Sequence, residues 1–355
     1  MHGRQCCWQQ ELDSALKSVK AKRNVLLLSP EHSGKSSFLL SLQHSLQKAK
    51  SFVPVIFSAE RCVTLNQYVS RNLLRVLEAH NEIFAAPKSL FSLSLLELDS
   101  RISALKISDE AKQSLKLLLM FENDPKVRME DVLEALFTFP QKLAAEVKAS
   151  SVILLDDAEL LQGIKSDRIS ASYFFELFRA GKLGSAFVIA SSNRPQLEGL
   201  DELTLKPLTL EQTRTMLKDR ELEVDEKALT TIYNFAEGVP FYINYVGRLV
   251  ETSSKRDAES VKELLEAELD NSLNIYFSER LKSLSPKELP ILFCMAEHNV
   301  NTPSRISKLL NYSQTNVRRF LSIMEEKGFV TLKERGVFEI HDPVFRRWLE
   351  VQSRS

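Results

Sequence analysis

The stretch Ser29-Pro30-Glu31-His32-Ser33-Gly34-Lys35-Ser36 lies between an apolar run, residues 24–29, and a segment, residues 37–47, that sets Phe38, Leu39, Leu42 and Leu46 at helical spacing. A buried strand, a short turn carrying glycine and lysine, and a helix N-terminus in that order make the pattern of a phosphate-binding loop. In that setting Gly34 lets the backbone come close to phosphate, and the N–H groups of Ser33, Gly34, Lys35, Ser36 and Ser37 cradle it at the positive end of the helix. Lys35 reaches the terminal oxygens as a point charge, and the Ser36 hydroxyl is placed to ligate Mg²⁺. The pattern usually begins with glycine, and Ser29 stands in that place.

A second run, residues 151–157, is unbroken apolar sequence ending in Asp156 and Asp157. In a parallel sheet, ligands sit at the carboxyl ends of the strands. Two carboxylates ending a buried strand therefore suit Asp156 to the Mg²⁺ water shell and Asp157 to orienting or deprotonating an attacking water. The alternative is that the pair only punctuates a strand-to-loop boundary.

Composition frames these motifs. The chain has 355 residues, enough for two or three domains, and its 44% hydrophobic content supports real cores. Its 47 basic and 47 acidic residues balance, which excludes a uniformly basic nucleic-acid binder and confines any such contact to a local patch. No apolar run approaches the roughly 20 residues that cross a bilayer, and residues 1–8 lack the apolar core of a secretory signal, so the expected location is the cytoplasm. Cys6, Cys7, Cys62 and Cys294 do not have metal-ligand spacing; Cys6 and Cys7 with His2 could hold a metal only with outside help, and reduced thiols are the plainer reading.

Along the chain, residues 9–20 read as a short helix and residues 52–58 as a strand, with Pro54 arguing for a sheet edge. Residues 64–80 and 90–148 are helical in period, a helical insertion over about 61–149. A helix over 172–179, a strand over 185–191 and a short strand over 203–205 follow. Alternating strands and helices imply a parallel α/β sheet. From Thr209 only helices are expected, over 210–218, 225–236, 240–250 and 258–284, and this part would act as a lid. Helices opened by Ser285-Pro286, Thr302-Pro303 and Ser313 then lead to two strands flanking Glu334-Arg335-Gly336, the order of a winged helix-turn-helix. The expected division is 1–208, 209–284 and 285–355. Residues 342–349, with Phe345 and Trp348 on one face, are expected to pack against the wing.

Four places carry a family resemblance: Ser33 to Ser36 with the following residues 37–40, the strand over 153–157, Glu237-Gly238-Val239-Pro240-Phe241-Tyr242, and residues 338–349. On these the chain resembles the archaeal and bacterial STAND-type ATPases related to the AAA+ proteins, over almost its whole length. The resemblance implies an AAA+-like P-loop NTPase sheet followed by a helical lid and a winged helix, with ATP and Mg²⁺ as cofactors. It implies catalytic roles for Lys35, Asp157 and Arg194, the last as a phosphate-sensing arginine, and a Mg²⁺ site at Ser36 and Asp156. Ser192 and Asn193 fall where a polar sensor reads the γ-phosphate, although Ser192 to Pro195 also reads as a plain polar turn. Pro240 falls where the lid helix approaches nucleotide. The sequence departs from the family at the adenine-seating element, where residues 6–12 keep only Glu11-Leu12, and at Asp157, where relatives have Glu.

Two functions fit. One is a slowly hydrolysing, ATP-driven switch with the winged helix as output; the other is a non-hydrolysing adaptor or DNA-binding regulator with the domain order of the origin ATPases. Residues 285–355 carry eleven basic and eight acidic side chains, net +3. Arg318 and Arg319, with Gln314 and Asn316, could meet DNA, but Glu325 and Glu326 follow closely, so a protein-facing or intramolecular role is the favoured expectation.

Overall fold

The computed structural model describes residues 7–84, 87–124, 126–165, 169, 173–179, 181, 183–253 and 256–353. Cys6 and His2, in the metal reading above, and Ser172, at the expected helix start, lie outside the described residues. Contacts divide the chain into two compact units. One holds Trp8–Ser29 and Lys35–Leu205; the other holds Cys7, Pro30–Gly34 and the described part of Lys206–Ser355.

The first unit is built on five parallel strands: β1 Val25–Leu28, β2 Phe52–Ser58, β3 Ser150–Asp156, β4 Ala186–Ser191 and β5 Asp201–Leu203. Their spatial order is β2-β3-β4-β1-β5. Nearly all residues of β1, β3 and β4 are buried, as continuous apolar runs covered on both faces must be. β2 is an edge strand, as Pro54 required, because an interior proline would leave a ladder bond unmade. β5 lies two residues earlier than expected. The N–H of Leu205 donates to the Ser29 hydroxyl at 2.7 Å, which draws the chain out of the ladder after Leu203.

Register places the site. Leu28 of β1 is level with Ser191 of β4, and Ser58 of β2 with Asp156 of β3. With Leu155 level with Ile189, the carboxyl ends of β1, β3 and β4 finish together on one edge of the sheet.

Between β2 and β3 the helices Leu65–Ala79, Leu95–Ser103, Asp109–Met120 and Met129–Glu146 form the helical insertion. Capping boxes Thr64/Gln67 and Ser94/Glu97 start the first two, satisfying N–H groups the helices cannot. Phe137 centres this core, its ring 5.4 Å from those of Phe57 and Phe178. A ring buried like this contributes about 1.5–3 kcal/mol of apolar transfer.

In the second unit the helices are Leu210–Lys218, Glu226–Ala236, Pro240–Thr252, Ala258–Asp270, Ser272–Leu281, Leu289–His298, Pro303–Leu310, Gln314–Glu326 and Pro343–Gln352. Antiparallel strands β6 Val330–Glu334 and β7 Val337–Ile340 precede the last helix. The single helix expected over 258–284 is two, broken at Asn271, whose φ −109° and ψ −102° lie outside the helical region. The helix expected from Ser285 begins at Leu289, after a turn in which the Glu288 N–H donates to the Ser285 carbonyl at 3.0 Å and the Ser285 N–H to the Glu288 carboxylate at 2.7 Å. Phe345 and Trp348 stack at 5.8 Å and pack on the helix Ser272–Leu281. Phe277 of the helix Ser272–Leu281 lies 5.1 Å from Phe345, and the Trp348 indole donates to Asn274 at 3.1 Å.

No helix among the described residues is long and apolar enough to cross a membrane. Gly238 is the glycine this unit cannot replace. Its φ is 76°, its carbonyl accepts from the Leu208 N–H at 2.8 Å, and an added Cβ would stand 2.2 Å from the Leu208 carbonyl oxygen. Gly238→Ala should lower the unfolding midpoint by several degrees, the left-handed backbone alone costing roughly 1–3 kcal/mol. Calorimetry checks this, and an unchanged midpoint would contradict the close approach.

Candidate functional site

β1 ends at Leu28, and Ser29 continues it by donating its N–H to the Ser191 carbonyl at 3.1 Å. Ser29 has no positive φ, so the freedom of the usual glycine is not used there, and its hydroxyl instead fixes Leu205. The left-handed positions of the loop are His32, φ 66°, and Gly34, φ 95°. Glycine adopts such a backbone at no steric cost; histidine does not. The Ser33 hydroxyl donates to the Pro30 carbonyl at 2.7 Å and closes the turn.

Lys35 opens the helix Lys35–Lys48, is buried, and donates to the Ser29 carbonyl at 3.1 Å. Beside it the Ser36 hydroxyl hydrogen-bonds the Asp156 carboxylate. Burial pushes the Asp156 carboxyl up from its ordinary range, while Ser36 and Lys35 act to hold it ionised. Asp157 is partly buried and left-handed, φ 51°. Burial, then the charges of Asp156 and Glu159, push its carboxyl up to about 6 against the opposing pull of Lys35. Adjacent carboxylates disfavour joint ionisation, which is how a proton is kept near neutral pH.

A hydroxyl and one carboxylate side by side fit a hexacoordinate Mg²⁺ that keeps several waters and takes its other oxygens from phosphate. Ser36 and Asp156 would hold it, and the lysine ammonium next to them complements polyphosphate charge. No set of three His, Cys, Asp or Glu among the described residues could hold a metal by itself.

Ser192, just past β4, donates its hydroxyl to Glu159 on the 3₁₀ turn Ala158–Gly163. The Asn193 carbonyl accepts from the Ser191 hydroxyl at 2.6 Å. Arg194, expected to sense phosphate, is not brought to this cluster. Its guanidinium is 60% exposed and forked onto the Glu202 carboxylate, with Nη2 to Oε2 at 2.7 Å. Ser37 is exposed on the first turn of its helix. Pro240 is the buried first residue of the helix Pro240–Thr252 in the second unit.

Sequence reasoning missed Glu159 and the residues that hold the loop within the second unit. The Glu31 carboxylate pairs with Arg280 at 3.1 Å. His32 Nε2 lies 2.9 Å from the Tyr276 hydroxyl, and its ring stacks on Phe241 at 4.2 Å. A charged side chain on the turn just after Asp157 was a usable signal for Glu159. Nothing in the spacing of Tyr276 or Arg280 pointed to the loop.

No family model matches the chain, and no curated protein matches it. Among solved structures, the Walker-type ATPase PABY2304 of Pyrococcus abyssi is similar at TM-score 0.65 and 17% identity, over 96% of this chain and 95% of that one. RuvB of Thermotoga maritima, the Holliday junction branch migration motor, overlays at TM-score 0.43 with 12% identity over 96% and 92% of the two chains. AMPPCP-bound DnaA of Aquifex aeolicus overlays at 0.41 with 13% identity over 100% and 93%. The last two overlays are too loose to carry an argument. The first shows the fold: that of a Walker-type P-loop ATPase.

Because its folded value lies above 3.8, Asp157 binds its proton more tightly in the folded state. Its contribution to stability is present below that unfolded value and is lost as pH rises through about 6. Asp157→Asn should therefore raise the unfolding midpoint at about pH 8 and leave it nearly unchanged at about pH 4. Equal shifts at both would mean that the carboxyl is not held in this way.

Proposed function

We propose that the chain is an ATP-binding, slowly hydrolysing ATPase of the AAA+ type, related to the STAND ATPases, that works as a nucleotide-dependent switch. On this reading Ser33 to Ser37 cradle the phosphates, Lys35 neutralises them, and Ser36 and Asp156 hold Mg²⁺. Bound Mg²⁺-ATP supplies an activated phosphoryl group and a good leaving group. Catalysis by the protein is then positioning and electrostatics, with Asp157 holding the proton that the attacking water gives up. The division into an ATPase domain, 1–208, a lid, 209–284, and a winged helix, 285–355, belongs to the same proposal.

The observation that supports a switch is Arg280. Its guanidinium pairs with Glu31 in the loop at 3.1 Å, donates to the Gly328 carbonyl at 2.8 Å, and lies 3.7 Å from Asp342. It also covers the Phe329 and Phe345 rings, at 5.0 and 5.7 Å. Asp342 caps the last helix through the N–H groups of Val344 and Phe345, both at 3.0 Å, and accepts from the buried Tyr242 hydroxyl. One largely buried cation thus ties the phosphate loop to the turn before β6 and to the start of the final helix. A ligand that binds the loop with Glu31 released and not with Glu31 held shifts this equilibrium by its differential affinity.

The output surface is the exposed face of the helix Gln314–Glu326. Arg319 lies over Phe320 at 5.0 Å, and Glu325 accepts from the Leu332 N–H at 3.0 Å. We place a protein partner there ahead of DNA.

Lys35→Ala should abolish triphosphate binding in calorimetry without unfolding the chain; retained affinity removes the phosphate-loop assignment. Arg280→Ala should keep nucleotide binding but erase the difference in hydrogen exchange that ATP and ADP impose on residues 328–349. If wild type shows no such difference with binding verified, the switch reading falls and a nucleotide-holding adaptor replaces it. Salt-dependent DNA affinity lost in Arg318→Ala with Arg319→Ala would move the output from protein to nucleic acid.

A further inference from the structure

Glu159 takes no part in the roles above, yet it holds Ser192, one of the two residues expected to read the γ-phosphate. The Ser192 hydroxyl has a single proton, and it is donated to Glu159 Oε1. A hydroxyl committed in this way offers only lone pairs, and phosphate oxygens are acceptors as well, so the two cannot hydrogen-bond while Glu159 keeps the proton. A water O–H can donate to Ser192. The second oxygen, Glu159 Oε2, is closed to solvent and has no hydrogen-bond partner among the described residues.

Three features place this pair beside the site rather than elsewhere on the unit. Ser192 follows β4 and Asp157 follows β3, on strands whose carboxyl ends finish together. Glu159 is close enough to Asp157 that its charge is among the main influences on that carboxyl. It sits on the 3₁₀ turn Ala158–Gly163 that starts directly after Asp157, and as a glutamate it has one more methylene than that residue, whose backbone is left-handed.

We propose that Glu159 is a positioning residue for hydrolysis, holding the Ser192 hydroxyl as an acceptor so that Ser192 orients the attacking water instead of reading the γ-phosphate. The inference rests on the hydrolysing reading of the site. In the step, the water oxygen forms a bond to the γ-phosphorus as the bond to the β–γ bridging oxygen breaks. The electron pair leaves with ADP. One water proton stays on the new phosphate, and the other passes through Asp157 to solvent. Glu159 is neither consumed nor reprotonated; it sets the direction of one hydroxyl.

The test separates turnover from binding. Glu159→Ala and Ser192→Ala should each lower kcat by roughly 10²-fold while leaving KM and the affinity for Mg²⁺-ADP within about twofold. The double variant should be no slower than the slower single one, because the two side chains act as one device. Ser192→Thr, which keeps the hydroxyl, should retain most of the activity. A second measurement needs no turnover: Mg²⁺-ADP with aluminium fluoride, which mimics the transferring phosphoryl group and its in-line water, should bind wild type more tightly than Mg²⁺-ADP alone and lose that advantage in Glu159→Ala. Independent, multiplying effects of the two substitutions, or variants as fast as wild type, would overturn the role of Glu159 and leave the ATPase reading standing. Wild type that binds Mg²⁺-ADP but neither turns over nor prefers the fluoride complex would overturn both.

Discussion

The level ending of β1, β3 and β4 is the constraint on which the candidate site depends. Leu28 opposite Ser191 and Leu155 opposite Ile189 set the depth at which each strand releases its chain. Ser29, Asp156 and Ser192 follow from that depth. A strand slipped by one residue against its neighbours would carry its terminal carboxylate roughly 3.3 Å out of line with them, so the register of these strands also fixes the chemistry at their ends. Ser29 reinforces the arrangement from the side: its backbone pairs with β4 while its hydroxyl takes the N–H that would have extended β5. A position that looked like a departure from a motif is, in this molecule, a fastening.

Much of this was legible because it is local. The loop, the strands over 25–28, 52–58, 150–156 and 186–191, and the helix openings at Thr64 and Thr209 are written in runs of a few neighbours whose period or hydrogen-bonding chemistry decides their form. The misplacements have separate causes. The helix over 258–284 is broken by the backbone of Asn271 itself, whereas β5 moved because the Ser29 hydroxyl captured the Leu205 N–H that propensity assigned to the ladder. Competition of this kind depends on a partner that can lie far along the chain, as Ser29 does from Leu205, so no window of sequence contains it.

Charges were harder still. Arg194 and Arg280 are both arginines near the ends of elements, and only geometry separates them. The first faces solvent and forks onto Glu202; the second has its side chain 14% exposed, among two aromatic rings and two carboxylates. An exposed pair contributes at most about 1 kcal/mol, whereas removing one partner of a buried charge leaves the other uncompensated, at about 3–5 kcal/mol. The same residue type can therefore be decorative or structural. Sequence order carried the resemblance but not this distinction.

The left-handed backbone at His32 has a consequence for how tightly any ligand of the loop can bind. The ring stacks on Phe241 and meets Tyr276, contacts that offset the steric penalty of a side chain in that conformation and hold the loop in this form. A ligand that needs a different loop must first draw on the small fraction of molecules already released, and its apparent dissociation constant rises by the reciprocal of that fraction. Sensitivity and affinity are then set in opposite directions by one histidine: a glycine there would free the loop to bind tightly, and the rest of the unit would have less to feel.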